Sequence, residues 1–220
     1  MSSKIGNRIT LQQARTLGAV QSFEPLGSDK GAGARSITNG NGTVTSTARA
    51  DRLSMTASPA AAWSNLVTMP QWMAGGQIVL FTAWKTNQPI ANLDNLYQIG
   101  VLWRGSMDLT PEEEAIFAPG AGNSTNGNIR VRKSGTITNG SITYPTLDGN
   151  EIFANILIDY DRDQTEFYIN KNPITATPDA TIAAVPNYVP SVGILIQDNG
   201  SGTDTSEILD AVLLGYIYIP

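Results

Sequence analysis

Punctuation constrains this chain most: from Ser36 onward, short apolar or alternating runs are cut at regular intervals by turn-forming residues. Gln77–Lys85 (QIVLFTAWK) and Asn95–Arg104 (NLYQIGVLWR) are rich in β-branched and aromatic residues, which suit a pleated, half-buried surface. Asn128–Lys133 (NIRVRK) alternates strictly, so Ile129 and Val131 fall on one face of a strand and Arg130 and Arg132 on the other. Thr43–Ala48, Arg52–Thr56, Ser141–Tyr144, Ile152–Tyr160, Gln164–Asn170, Ser191–Gln197 and Ile208–Ile219 continue the rhythm. Turn residues stand between the runs: Gly120-Ala121-Gly122-Asn123, Asn139-Gly140, Asp148-Gly149-Asn150 and Asn199-Gly200-Ser201-Gly202. About ten strands at this spacing predict an all-β antiparallel β-sandwich, a jelly roll over residues 36–220. One segment breaks the pattern. Thr110–Phe117, with Pro111 at the first helical position and Glu112–Glu114 as a solvated first turn, predicts a short helix.

Residues 1–35 read as an N-terminal arm and linker. Thr10 and Gln13 form a capping box, and Leu11, Ala14 and Leu17 then share one face of a short helix that Gly18 can end. Two helical turns do not persist alone in water, so this helix must dock on something. Gly27–Gly33 is a flexible linker by composition. Charge divides along the chain as well. Residues 1–52 hold seven basic against three acidic residues, a net of +4, whereas the remainder holds seven against sixteen, a net of −9. A basic arm on an acidic body suits docking onto an acidic neighbouring subunit, with Arg8, Leu11, Arg15 and Leu17 as the contact residues. Wrapping its own sandwich is the other outcome open to the same residues. The acidic body argues against nucleic-acid binding. The start of the chain has no apolar run of signal-peptide type, and its longest apolar stretch is too short to span a bilayer, so neither export nor a membrane partner is expected.

Two residue types are missing altogether. The 220 residues include no Cys and no His. Disulfides, thiolate or imidazole metal sites, cysteine nucleophiles and histidine acid–base steps are therefore excluded. The expectation is a protein that is not an enzyme and carries no cofactor.

Asn155-Ile156-Leu157-Ile158-Asp159-Tyr160-Asp161-Arg162-Asp163, followed by Gln164-Thr165-Glu166-Phe167-Tyr168-Ile169-Asn170, is an aliphatic strand ending in Asp-Tyr-Asp, a tight turn, and a strand ending in Tyr-Ile-Asn. With Gly193-Ile194-Leu195-Ile196 and the run Ser206–Tyr218, this hairpin resembles the concanavalin A-like superfamily, which includes legume lectins, laminin-G-like modules and many glucanases. The resemblance implies a concanavalin A-like jelly roll. It does not extend to the catalytic branches. The Glu-x-Asp-x-x-Glu strand of the glucanases has no counterpart, and the lyase branch requires a histidine that this chain lacks.

Two constellations remain as candidate sites. Asp159, Asp161 and Asp163 alternate as oxygen ligands for calcium would. The calcium-loop pattern wants Gly at its sixth position and Glu at its twelfth, where Gln164 and Asn170 stand, and a hairpin loop bonding its own amides accounts for the same residues. Asp198, Asn199 and Asp204 form a second polar cluster of equal ambiguity. Trp63, Trp72, Trp84 and Trp103 are the four tryptophans, of which Trp84 and Trp103 sit in apolar strands where burial is the default. Trp63 and Trp72 are freer to stack on a sugar and are the candidate glycan contacts.

Two functions follow from these residues. Gly, Asn, Thr and Ser make up a third of the chain, and this polar β composition without Cys or His resembles bacteriophage decoration, fibre and tail-appendage proteins. That resemblance implies a structural virion component made in the host cytoplasm. Its partners would be a major capsid or tail protein and copies of itself, as a homo-oligomer with a trimer favoured. The alternative is a carbohydrate-binding, lectin-like module that recognises a surface glycan.

Overall fold

In the computed structural model, the described residues are 20–22, 36–39, 43–46, 51–55, 61–68, 75–86, 96–103, 113–119, 128–145, 152–173, 175–188, 191–197 and 207–219. They form β1 (Val20–Ser22), β2 (Ser36–Asn39), β3 (Thr43–Ser46), β4 (Asp51–Met55), β5 (Ala61–Thr68), β6 (Gln77–Thr86), β7 (Leu96–Trp103) and β8 (Glu113–Phe117). The chain continues through β9 (Ile129–Lys133), β10 (Thr136–Gly140), β11 (Ile152–Asp159), β12 (Gln164–Ile169), β13 (Ala180–Ile182), β14 (Ser191–Gln197) and β15 (Glu207–Ile219). Two sheets result. Sheet A runs β13-β12-β11-β6-β15-β4-β3 with β1 beside β15, and sheet B runs β10-β9-β8-β7-β14-β5-β2. Every pairing is antiparallel. This is the all-β sandwich that the strand rhythm predicts.

Alternation fills the space between the sheets. Ile78, Leu80 and Trp84 of β6, Ile152, Ala154, Ile156 and Ile158 of β11, and Phe167 and Ile169 of β12 are sheet A's share. Tyr97, Ile99 and Val101 of β7, Ala115 and Phe117 of β8, and Ile129 and Val131 of β9 are sheet B's. Each such aliphatic or aromatic side chain, fully buried, stabilises the fold by about 1.5–3 kcal/mol. Edge-to-face rings stitch the layers: Phe117 meets Phe167 at 5.2 Å and Tyr144 at 6.4 Å, and Tyr144 meets Trp84 at 5.8 Å.

Three local expectations are corrected. The segment expected as a helix, Thr110–Phe117, contains strand β8, and Glu113 and Glu114 are buried rather than solvated. Its local helix-start signals lose to pairing on both edges, with β7 and with β9, and to the burial of Ala115 and Phe117. Asn139-Gly140, expected as a turn, closes strand β10 instead. The turn is Ser134-Gly135, whose φ values of 49° and 77° are those a two-residue hairpin requires. Ser141–Tyr144, expected as a strand, lies beyond β10 and is irregular. It is held by Asn128, whose Oδ1 accepts from Ile142 N at 2.7 Å and whose Nδ2 donates to Ile142 O at 2.6 Å, imitating a strand partner. The Tyr144 hydroxyl completes the clasp by donating to Asn128 O at 2.6 Å.

Thr10–Leu17, the expected docking helix, lies outside the described residues. Within the expected arm, β1 pairs with β15, so Val20–Ser22 extend sheet A.

Candidate functional site

The face of sheet B turned away from the core carries a charged cluster. On β9, Ile129 and Val131 enter the core, which turns Arg130 and Arg132 to the other side; on β8, Ala115 and Phe117 do the same for Glu114 and Ile116. Register then joins them, because Glu114 pairs with Arg132 and Ile116 with Arg130. Glu114 Oε1 lies 2.5 Å from Arg130 Nε and 3.4 Å from Arg132 Nε. The carboxylate is fully buried, and the two arginines show only 8% and 10% of their side chains to solvent. Such burial costs desolvation that close, charge-assisted contact offsets. Ile116 and Ala118 pack together on this side, and Gln98 of β7, between core residues Tyr97 and Ile99, is buried there too.

Beside the cluster the sheet loses its side chains. Gly100 of β7 pairs with Ile116 on one edge and with Gly193 of β14 on the other. One register row therefore reads Arg130, Ile116, Gly100, Gly193, and two adjacent strands present bare backbone in it. A β-bulge sits next to this row, where Val192 pairs with Val67 but Gly193 with Asn65, leaving Leu66 as the extra residue. Packing enforces one of the glycines. With φ at +146°, a Cβ on Gly100 would lie 2.4 Å from Ala115 O and 2.9 Å from Ile156 Cδ1. The strip thus sets two arginines, nearly closed to solvent and turned to Glu114, beside a stretch of strand that carries no side chains.

Glu113 precedes Glu114 but serves a different purpose. Its Oε1 accepts from Ser134 N at 2.8 Å and Asn187 Nδ2 at 2.9 Å, and its Oε2 accepts from Asn187 N at 2.7 Å. Asn187 Nδ2 also reaches Ser134 Oγ at 2.6 Å. Glu113 therefore ties β8, the β9–β10 turn and the segment before β14 into one corner. Neighbours in sequence on one strand, the two glutamates point to opposite sides.

Each residue named from sequence has its own position. Asp159, Asp161 and Asp163 lie at the β11–β12 turn and are engaged separately. Asp159 is buried; its Oδ2 accepts from Gln77 Nε2 at 2.9 Å, its Oδ1 from Arg162 N at 3.1 Å, and Arg162 Nε stands 3.5 Å away. Burial pushes its carboxyl pKa up, the Arg162 amide and charge and the Gln77 bond pull it down, and the Asp161 charge adds to the rise. Asp163, exposed and with φ at 52°, pairs with Lys133 Nζ at 3.3 Å. At the twelfth position of the calcium pattern, Asn170 Oδ1 accepts from Phe153 N at 3.0 Å. Among the described residues no three acidic side chains converge as metal ligands. Trp63 lies on β5, paired with Leu195 and Thr38, in the same sheet as the charged cluster. Trp72, the arm residues Arg8, Leu11, Arg15 and Leu17, and the polar cluster Asp198, Asn199 and Asp204 lie outside the described residues. The NIRVRK alternation separated the arginines from the core; Glu114 and the glycine row were missed, although a glycine inside each of two apolar strands was the available signal.

No protein-family model matches this sequence, and no curated protein does. Solved structures match across nearly the whole chain. A protein of unknown function from Shewanella oneidensis is similar at 13% identity and a TM-score of 0.57, over 95% of this chain and 94% of its own. Arcelin-5, a lectin-like defense protein from Phaseolus vulgaris, is similar at 9% identity and a TM-score of 0.54, over 90% and 96%. A structure of botulinum neurotoxin type C, whose cell entry is described as dependent on interaction with two ganglioside molecules, gives 10% identity and a TM-score of 0.55, over 94% of this chain and 49% of its own. At these identities the likeness is one of fold, and the chain is an antiparallel β-sandwich of lectin-like, concanavalin A-like architecture.

Proposed function

We propose that this protein is a non-enzymatic, lectin-like carbohydrate-binding module whose sugar-binding face is the outer face of sheet B. The observation that carries the proposal is the juxtaposition of Arg130, Arg132 and Glu114 with the side-chain-free row at Gly100 and Gly193. Guanidinium groups match a sugar carboxylate bidentately, and these two reach solvent through the 8% and 10% of their side chains that stay exposed. Among the similar structures, the lectin-like character of arcelin-5 and the ganglioside dependence of the neurotoxin support recognition of glycans, acidic ones included. Glycoside hydrolysis needs two carboxylates flanking one bond, whereas Glu113 and Glu114 face opposite sides of β8. The role first expected from composition, a virion subunit, rests on composition and on docking residues, Arg8, Leu11, Arg15 and Leu17, that lie outside the described residues.

A glycan array probed with the purified full chain tests the proposal. Binding to a defined glycan is expected. Arg130→Lys, which keeps the charge beside Glu114 and removes the planar fork, should weaken that binding by about tenfold or more, measured at a temperature where the variant is folded. Trp63→Ala and Trp72→Ala, assayed on the same glycan, test the two tryptophans as stacking residues. An array without any bound glycan would overturn the proposal, as would binding indifferent to Arg130→Lys.

A further inference from the structure

We infer that β10 is a self-association edge, where a second copy of this chain adds its own β10 to continue sheet B across a two-fold axis. Among the described residues β10 ends the sheet, with β9 as its only partner. Thr136, Ile137, Thr138 and Asn139 are all exposed, and among the described residues Ile137 is one of two large apolar side chains that stand out into solvent, at 44%. Sheet edges are ordinarily protected by charge, proline or a bulge. The other edge whose side chains are described, β13, follows that rule, with Pro178 and Asp179 just before it and Pro186 soon after. In contrast, Ser134–Thr143 holds no charge and no proline.

The hairpin fixes which backbone groups face outward. Lys133 and Thr136 flank a two-residue turn and so form a hydrogen-bonded pair, and the bonding then alternates along the ladder. Thr136, Thr138 and Gly140 direct their N–H and C=O groups to β9; Ile137 and Asn139 direct theirs to the open edge. That spacing is self-complementary. An antiparallel copy centred on Thr138 places each Ile137 opposite the other copy's Asn139, and the two pairs exchange four backbone hydrogen bonds. Thr138 then faces its own copy as a non-bonded pair, with Cα atoms about 4.5 Å apart. No like charges meet, because the paired segments carry none. The partner is thus a second copy of this chain, and the contact is isologous and makes a dimer, not the trimer expected from composition. The contact lies beside the proposed sugar site, since Ile137 pairs with Arg132 and Asn139 with Arg130, but its test reads association and no sugar.

The absence of cysteine makes the test direct. Thr138→Cys introduces the chain's single thiol at the two-fold axis, where the Cα separation lies within disulfide range. Under mild oxidation of the full chain, Thr138→Cys should form a covalent dimer at least about tenfold faster than Thr136→Cys or Ile137→Cys, whose thiols do not face their own copies. Sedimentation of the unmodified chain should show a concentration-dependent monomer–dimer equilibrium, shifted to monomer by Ile137→Lys. A chain that stays monomeric at every concentration would refute the inference. So would equal cross-linking rates for the three thiols, or an oligomer unaffected by Ile137→Lys.

Discussion

Among the described residues, the buried hydroxyl of Tyr160 has no hydrogen-bond partner. Burial, and secondarily the negative charge of Glu113, pushes its pKa well above that of a free phenol. A buried donor left unmade costs about 1–3 kcal/mol, so Tyr160→Phe should raise stability, by about 1 kcal/mol, in urea unfolding. A loss of stability would mean that the hydroxyl is satisfied after all. Asp159 makes a prediction of pH dependence. Its pKa is raised in the folded protein, chiefly by burial, so the folded state holds the proton more tightly than the unfolded chain. Its contribution to stability is therefore present at low pH and lost as pH rises through the folded-state value. Asp159→Asn should gain stability relative to the unmodified chain as pH rises from the ordinary carboxylate range through the folded-state value. Stability curves that stay parallel as pH rises would contradict the assignment.

At the scale of the element, Gly100 is the most exacting position. Its φ of +146° and the 2.4 Å approach to Ala115 O leave no room for a methyl group against β8 backbone. Gly100→Ala should cost about 1–3 kcal/mol or more, read as a lowered melting temperature; a neutral substitution would show that β7 and β8 can part without penalty. Elements also divide by how far they could be read from sequence. Ser191–Gln197 was delimited to the residue, and β6, β7, β11, β12 and β15 to within a residue or two at either end, because each is a long β-branched or aromatic run bounded by turn residues. β8 was misread, since Pro111 and the glutamates favour a helix start locally and only pairing with two distant strands makes it extended. β10 was misplaced because Asn139-Gly140 carries the same turn chemistry as the true turn at Ser134-Gly135. Local residues cannot rank two such signals; the register with β9 does.

For the whole molecule, sheet order joins residues that no local pattern links. The Arg130–Glu114–Arg132 cluster needs β8 beside β9, and the bare row needs β7 beside β14, strands roughly ninety residues apart. The alternation in NIRVRK assigned faces to the arginines, but their partner lay in the segment expected to be a helix, so the site could not be assembled from sequence. The lectin-like fold was legible through the β11–β12 hairpin, whose apolar strands and tight turn are local features. A dimer through β10 would present two copies of the sheet B face, raising avidity for clustered glycans without any new contact to sugar. Hydrogen–deuterium exchange of the full chain, with and without the glycan selected on the array, tests the central claim most directly. The account predicts added protection in 98–101, 113–117 and 129–133, with the β11–β12 hairpin unchanged. Protection confined to that hairpin, or absent from sheet B, would contradict it.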